Sequence, residues 1–218
     1  MAAKIISLIN QKGGCGKTTI TMNLAATLSL RHNKKVLVID GDTQSSATSW
    51  ANCAADDLPF PCHVISLASA AGKAHRSIVN FIADYDVIII DCPPSTETEF
   101  NASALLVSDL AIIPVKPSST DLWAISGILK LISAAAMTNE KLVSKIVPNM
   151  CEPNKRLSQS IINYCKNDEN INLFKCQVNN RSVYGEVALA GESVYTSKNS
   201  KAKNEIALLT DEVLTYIM

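Results

Sequence analysis

One segment, Gln11–Thr19, constrains the fold of this chain more than any other part of the sequence. Its residues, QKGGCGKTT, lie between the apolar run Lys4–Ile9 and the helical pattern Lys17–Leu30. Glycines in such a loop let successive backbone N–H groups point inwards at an anion, and the start of the next helix also favours negative charge. The usual phosphate-binding loop has glycine where Gln11 stands and lacks a second lysine such as Lys12. The segment therefore predicts a phosphate-binding loop with an additional cation.

The residue types within this loop match the chemistry of a bound nucleotide. Lys17 is expected to reach the β- and γ-phosphates, and the Thr18 hydroxyl is expected to bind Mg²⁺. The other candidate nucleotide-binding residues of the loop are Lys12, Gly13, Gly14, Cys15, Gly16 and Thr19. A glycine-rich turn that merely caps a helix would explain the glycines, but it would not require two lysines and a pair of threonines.

Short apolar runs rich in β-branched residues recur along the chain, with longer segments of helical spacing between them. Most runs are continuously apolar, as expected for strands covered on both faces. The predicted strands are Lys4–Ile9, Lys35–Asp40, His63–Ser66, Asp86–Asp91, Leu110–Val115 and Leu142–Val147. With helical patterns such as Leu122–Ala136 and a final helix Lys201–Ile217, they indicate an α/β fold in which helices flank both faces of a mostly parallel, twisted sheet.

Composition argues against several classes of protein. The formal net charge is zero, so any binding to nucleic acid or a membrane must come from a local patch. No apolar run has the length of a transmembrane helix, and the N-terminal run is too short for a signal peptide. The seven cysteines are scattered, without a Cys-x-x-Cys pair, which argues against a disulfide framework and a zinc site. We therefore expect a soluble, cytoplasmic protein without stable membrane insertion.

Carboxylates end two of the predicted strands. Asp40 ends one run, with Asp42 two residues later, and Asp91 ends another. The carboxyl ends of parallel strands face the crevice where α/β proteins bind their ligands. We therefore expect these carboxylates beside the phosphate loop, although an aspartate also occurs at strand ends in ordinary turns.

The motif Lys-Gly-Gly-x-Gly-Lys-[Ser/Thr], here Lys12–Thr18, resembles the deviant phosphate loop (Walker A) of the ParA/MinD family of P-loop ATPases. The similarity extends over most of the chain and implies that ATP and Mg²⁺ are its ligands. It also implies that Lys12 is the signature lysine, which contacts the phosphates of the nucleotide bound by the partner subunit of a face-to-face homodimer. Two triphosphates held close together repel each other, and a cation donated by the partner offsets this repulsion.

Two further motifs extend the resemblance. Asp91 corresponds to the Walker B aspartate, which holds Mg²⁺ through water. Asp40–Gln44 resembles the family's switch I, with Thr43 in place of a common proline, and the match implies that Asp42 positions the attacking water. An aspartate with an ordinary pKa is a poor base at neutral pH, so slow hydrolysis is expected. The implied catalytic residues are Lys12, Lys17 and Asp42, and the implied metal-site residues are Thr18, Asp40 and Asp91.

The C-terminal part resembles the short plasmid partition ATPases of the ParA type. Arg181–Val194 is similar to their Arg-x-x-Tyr…Gly-x-[Ser/Thr]-Val segment, and Asn149 lies where relatives often contact the adenine. Because the chain starts at its first strand, residues 1–218 are expected to form a single ATPase domain without an N-terminal helix-turn-helix domain. This branch implies an ATP-dependent homodimer that binds DNA non-specifically at the nucleoid, and a ParB-like adaptor or centromere-binding protein that stimulates hydrolysis. The cargo, whether plasmid, chromosome or protein assembly, stays open.

Three other branches of the fold also stay open. A MinD-like membrane ATPase ends in an amphipathic helix with basic residues, whereas this sequence has no basic residue after Lys203. An iron–sulfur reductase of the nitrogenase iron-protein kind needs cysteine ligands; Cys92 and Cys151 are the candidates, but their flanking sequences do not match that branch. A metabolic amidase or ligase shares the fold, and the loop by itself does not exclude it.

A local excess of basic residues is the candidate DNA-binding surface. Between Lys145 and Lys203 there are nine basic residues and five acidic ones. An ordinarily solvated surface is the simpler explanation of this excess from composition alone. The preferred DNA-binding candidates are Lys198, Lys201 and Lys203, with Lys155, Arg156 and Arg181 as weaker ones.

Overall fold

The computed structural model describes residues 2–95, 98–152, 155, 159–160, 162–163 and 172–218, without the side chains of Leu122 and Ala124. Within these ranges, six strands form one sheet in the order β3-β2-β4-β1-β5-β6, and every neighbouring pair is parallel. The strands are β1 (Lys4–Leu8), β2 (Val36–Asp40), β3 (His63–Ser66), β4 (Val87–Asp91), β5 (Leu110–Val115) and β6 (Val143–Pro148). The predicted parallel α/β fold is confirmed, and the predicted strands agree with the observed ones to within one residue at each end.

Two of the predicted helices begin earlier than their apolar spacing indicated, because polar side chains cap them. Ser118 accepts a hydrogen bond from the backbone N–H of Asp121, and Asn199 accepts one from Ala202. The described helices are α1 (Lys17–His32), α2 (Ser46–Asn52), α3 (Ala74–Ile78), α4 (Glu99–Leu105), α5 (Ser119–Ala136), α6 (Val183–Leu189) and α7 (Ser200–Ile217). None of the helices in the described ranges combines the length and the apolar character needed to cross a membrane.

Each face of the sheet has its own hydrophobic core, because successive side chains of a strand point to opposite faces. On one face, Ile6 and Leu8 of β1 pack in a cluster with residues of α1 and α7. On the other face, Ile5 belongs to a cluster with residues of α3, α4 and α5. Both faces are therefore covered by helices, as the continuously apolar strands predicted.

The register of the central strands brings the candidate site residues to one edge of the sheet. In the β2–β4 pair Asp40 lies opposite Asp91, and in the β1–β4 pair Leu8 lies opposite Asp91. The phosphate-loop segment follows β1 directly and leads into α1 at Lys17. The two acidic strand ends and the loop therefore meet, because β1, β2 and β4 are adjacent and run in the same direction.

Candidate nucleotide-binding site

The backbone of the loop has a shape that only glycine adopts without strain. Gly14 has φ of 68° and Gly16 has φ of 90°, both in the left-handed region. A Cβ atom at Gly16 would lie 2.2 Å from Nδ2 of Asn149. The same Nδ2 donates a 2.7 Å hydrogen bond to the carbonyl oxygen of Cys15. Asn149 thus ties the loop to the end of β6 and leaves no room for a side chain at Gly16.

Asn10, which the sequence analysis did not single out, fixes the start of the loop. It is buried, and its Nδ2 donates a 2.7 Å hydrogen bond to the carbonyl oxygen of Pro114 on β5. Its Oδ1 accepts a hydrogen bond from the backbone N–H of Lys12 at 3.1 Å. The entry to the loop is therefore anchored to the neighbouring strand, and an asparagine directly before the loop was the available sequence signal.

The side chain of Lys17 lies inside the loop, where the sequence predicted it. The residue is 7% exposed, and its Nζ donates to the carbonyl oxygen of Lys12 at 3.1 Å and lies 4.0 Å from the sulfur of Cys15. No salt bridge between described residues involves Lys17. A buried ammonium without a carboxylate partner is costly, and a bound anion would offset that cost. The loop therefore fits a phosphate group.

Asp91 and Thr18 come together as expected for a magnesium site. The hydroxyl of Thr18 donates a 2.6 Å hydrogen bond to Oδ2 of Asp91, and the hydroxyl of Thr21 lies 3.4 Å from Oδ1. Burial raises the pKa of Asp91 to about 7, partly opposed by the Thr18 hydrogen bond, and the nearby carboxylate of Asp40 raises it further. A cation beside this carboxylate would favour its charged form, so the oxygen donors of Asp91 and Thr18 fit Mg²⁺.

The buried carboxyl of Asp91 should make the nucleotide-free protein less stable as the pH rises. Its folded pKa of about 7 lies above the ordinary value of 3.8, so the cost of ionising it develops between pH 4 and 7 and is complete above pH 7. Asp91→Asn should therefore raise the free energy of unfolding by roughly 2–4 kcal/mol at pH 8. The gain should shrink towards pH 4 in denaturant titrations without Mg²⁺ and nucleotide. A gain that was equal at both pH values would contradict the titration of Asp91.

The two aspartates after β2 have different surroundings. Asp40 is buried; its Oδ1 accepts a hydrogen bond from the backbone N–H of Asp42, and its Oδ2 accepts two from Thr48. Asp42 is half-buried, and its Oδ1 accepts a hydrogen bond from the backbone N–H of Gln44 at 3.0 Å. The arrangement gives Asp40 a definite local role, which is to shape the turn that presents Asp42.

Lys12 has a partner within its own chain, which the sequence analysis did not foresee. Its Nζ lies 3.2 Å from Oδ1 of Asp121, in the first turn of α5. The contact depends on the parallel alignment of β1 and β5, because each of the two residues follows one of these strands.

A cavity of about 290 Å³ adjoins the loop beside α1. Asn149, the predicted adenine contact, lines it together with Thr19 of α1 and Tyr184 of α6. The remaining lining residues come from the chain after β6 and from α6: Met150, Asn179, Asn180, Arg181, Gly185 and Ala188. The cavity borders the loop and has a mixed polar and apolar lining, as small-molecule sites commonly have.

The candidate DNA-binding residues fall into two groups. Arg181 is paired with Glu205, whose carboxylate accepts a hydrogen bond from its Nε at 3.1 Å, and Lys155 is paired with Glu152 at 2.8 Å. Arg156 lies outside the described residues. Lys198 and Lys201 are exposed, and Lys203 is half-buried with its Nζ 4.4 Å from the ring centroid of Tyr195.

The two cysteines considered as iron–sulfur ligands are both buried. Cys92 and Cys151 are each 1% exposed, and burial raises the pKa of each thiol to about 12. A cluster ligand must be a thiolate that faces the cluster. Both side chains instead have the environment of small core residues.

Comparison with known proteins places this site in a family. A family model described as the CobQ/CobB/MinD/ParA nucleotide binding domain matches residues 6–194. The match covers the loop, the two acidic strand ends, Asn149 and α6. The chain belongs to this family of P-loop nucleotide-binding domains and is of the ParA/MinD type.

Individual proteins of this family are similar to the chain in sequence or in fold. The chain is 28% identical to maintenance of carboxysome distribution protein A of Halothiobacillus neapolitanus over 96% of this chain and 95% of that protein. It is 31% identical to sporulation initiation inhibitor protein Soj of Bacillus subtilis over 64% of this chain and 67% of that protein. A solved structure of cobyrinic acid a,c-diamide synthase from Mycobacterium smegmatis, with a bound ATP analogue and magnesium, has a TM-score of 0.79 at 18% identity, covering 98% and 95% of the two chains. At that identity the likeness concerns the fold alone, so the fold does not separate the positioning branch from the biosynthetic one.

Proposed function

We propose that this protein is a ParA-type ATPase that positions DNA or another intracellular cargo through an ATP-dependent homodimer. The observation that supports this most is the presence of two lysines with different surroundings in one loop. Lys17 is buried inside the phosphate-binding loop, whereas the side chain of Lys12 is 35% exposed and lies against α5. The Lys12 ammonium lies outside the phosphate loop of its own subunit, so its proposed ligand is the nucleotide of a second subunit. The full-length similarity to a carboxysome distribution protein adds support for a positioning role.

The residues of the site suggest how hydrolysis would proceed. Lys17 and the backbone N–H groups of the loop would hold the β- and γ-phosphates, and Thr18 and Asp91 would hold Mg²⁺, whose charge offsets that of the phosphates. Asp42, half-buried on its turn, would orient the attacking water. If Asp42 orients the water without acting as a strong base, ATP turnover is slow. Slow turnover suits an ATPase whose hydrolysis is stimulated by an adaptor.

The cavity beside α1 would hold the adenine. Nδ2 of Asn149 is committed to the carbonyl oxygen of Cys15, and this bond fixes the orientation of the amide. An amide whose nitrogen is used in this way offers its oxygen as an acceptor, and an acceptor suits the amino group of adenine better than the carbonyl of guanine. We therefore infer a preference for ATP.

The start of α7 is the best-supported surface for DNA. Lys198 and Lys201 are exposed there, Lys203 is half-buried beside them, and the N-terminus of this 18-residue helix adds a positive partial charge. Arg181 and Lys155, by contrast, are already neutralised by glutamates. Three lysines form a weak patch, but a dimer presents two such patches, so its DNA contacts become bivalent. An adaptor on the cargo would stimulate hydrolysis and return the protein to weakly binding monomers.

Binding to random-sequence duplex DNA should be strong with ATP and weak with ADP or without nucleotide. Simultaneous replacement of Lys198, Lys201 and Lys203 by alanine (the α7 variant) should abolish the ATP-dependent binding, because each phosphate contact contributes to affinity through counterion release. Gel-shift titration at two salt concentrations should also show a steep loss of affinity at the higher salt. The matched control replaces three lysines from the opposite side of the sheet and its loops: Lys73, Lys130 and Lys141.

Three outcomes would contradict the assignment of this surface to DNA. Equal binding in all three nucleotide states, or none in any, would show that DNA is not the surface on which ATP controls the position of this protein. Either result would favour a membrane-bound positioning ATPase. Equal loss of binding in the α7 variant and the control variant would show that total charge, and not the start of α7, determines the binding.

A further inference from the structure

Lys12 is held by a carboxylate whose own position is well defined. The distance from its Nζ to Oδ1 of Asp121 is 3.2 Å, and the side chain of Asp121 is 12% exposed. The other carboxylate oxygen of Asp121 is hydrogen-bonded to the hydroxyl of Ser118. Ser118 also accepts the backbone N–H of Asp121, so Asp121 is part of the cap of α5. The pair is therefore better shielded and more rigid than an ordinary surface ion pair.

The backbone of Lys12 is held at the same time by groups that respond to a nucleotide. Its carbonyl oxygen accepts hydrogen bonds from Nζ of Lys17 at 3.1 Å and from the thiol of Cys15 at 3.3 Å. A phosphate group in the loop would attract the Lys17 ammonium, which is the stronger of the two donors. Binding of nucleotide would thus weaken one of the contacts that hold Lys12 in its present position.

We propose that Asp121 is a positioning residue for Lys12: it holds the Lys12 ammonium within its own subunit and competes with the nucleotide of the second subunit. This proposal rests on the homodimer of the proposed function. One ammonium cannot contact Asp121 and a phosphate across the dimer face in the same geometry, so part of the dimerisation free energy is spent on breaking the Lys12–Asp121 pair. The pair thereby keeps the nucleotide-free chain monomeric, since only a bound triphosphate offers Lys12 a stronger partner.

The charge of Asp121 can be removed with little change of shape. In Asp121→Asn the amide still bonds to Ser118, so the cap of α5 is kept. With a non-hydrolysable ATP analogue, this variant should dimerise at about three- to tenfold lower analogue concentration than the parent in sedimentation velocity experiments. The matched control is Asp211→Asn, which removes one carboxylate from a different ion pair, with Arg31 on α1. Its dimerisation should equal that of the parent.

If Asp121 only stabilised the fold, its replacement would act independently of Lys12. Two measurements distinguish this structural role from the proposed positioning of Lys12. Lys12→Ala should stay monomeric, and adding Asp121→Asn to it should not restore dimerisation. In the nucleotide-free monomer, acetylation of Lys12 followed by mass spectrometry should be faster in Asp121→Asn than in the parent. Lys4, which is paired with Asp109 at 3.8 Å, is the internal reference.

The outcomes distinguish this proposal from the function on which it rests. If the parent protein stayed monomeric at saturating analogue, the proposed homodimer would be wrong. The proposed competition between Asp121 and the nucleotide of the second subunit would then be wrong as well. A parent that dimerised while Asp121→Asn needed as much analogue or more would overturn only the role of Asp121. Unchanged acetylation of Lys12 in Asp121→Asn would likewise show that the pair does not hold the ammonium in solution.

Discussion

Asp42→Ala should slow ATP hydrolysis by roughly 10²-fold or more while leaving ATP binding in place. Asp42 lies two residues after the end of β2, on a turn that the buried carboxylate of Asp40 shapes through hydrogen bonds to Asp42 and Thr48. Its side chain is half-buried, and within the described part of the chain no hydrogen bond or salt bridge joins it to Lys17 or Thr18, so its loss should not disturb the phosphate-binding loop. Single-turnover hydrolysis and equilibrium binding of a fluorescent ATP analogue measure the two effects separately.

Asp57→Ala is the matched control for this change. Asp57 is an exposed aspartate in the segment between α2 and β3, and its removal alters the net charge equally. It should hydrolyse ATP at the parental rate. Near-parental turnover in Asp42→Ala would show that another group orients the water.

Lys17→Ala should lose nucleotide binding almost completely, by two orders of magnitude or more in Kd. A charge-assisted bond to phosphate in a buried site is worth about 3 kcal/mol, and 1.4 kcal/mol corresponds to a tenfold change in affinity. The nucleotide-free variant should be at least as stable as the parent, because among the described residues the Nζ of the buried Lys17 has only a carbonyl oxygen and a thiol within hydrogen-bonding distance. Isothermal titration and thermal unfolding together measure these two effects.

Measuring both nucleotide binding and stability of Lys17→Ala distinguishes a local loss of phosphate binding from misfolding of the variant. Lys141→Ala removes an exposed lysine before β6 and should bind nucleotide as the parent does. If Lys17→Ala bound nucleotide within a few-fold of the parent, the phosphates would have to be held mainly by the backbone of the loop. A variant that lost both binding and stability would instead mean that Lys17 supports the fold.

Local patterns determined most of the architecture. The central strands were visible as short apolar runs, because strands buried at every position, such as β2, β4 and β5, are apolar almost throughout. The observed bounds differ mainly at helix starts such as Ser119, where a capping side chain and not apolar spacing sets the first turn. The loop and the acidic strand ends were likewise recognisable, because their spacing follows directly from the strand–loop–helix geometry.

The partners of charged side chains were not predictable in the same way. Lys145 was one of the nine basic residues counted towards a DNA-binding patch, yet it is buried over the ring of Tyr216, 3.7 Å from Glu212. Arg181 is similarly paired with Glu205. Such pairs join residues from distant parts of the chain, so composition counts the charges correctly without showing which of them face solvent.

The sequence by itself determined the parallel α/β class, the phosphate loop, and the placement of Asp40 and Asp91 at the carboxyl ends of strands. These properties depend on periodicity and spacing within short segments, which the chain specifies locally. Only the tertiary structure decided that Lys12 contacts Asp121 and that Lys145 and Arg181 are paired with glutamates. Those contacts depend on which strands become neighbours and how helices pack on them, since electrostatic pairing follows distance in space and not distance along the chain.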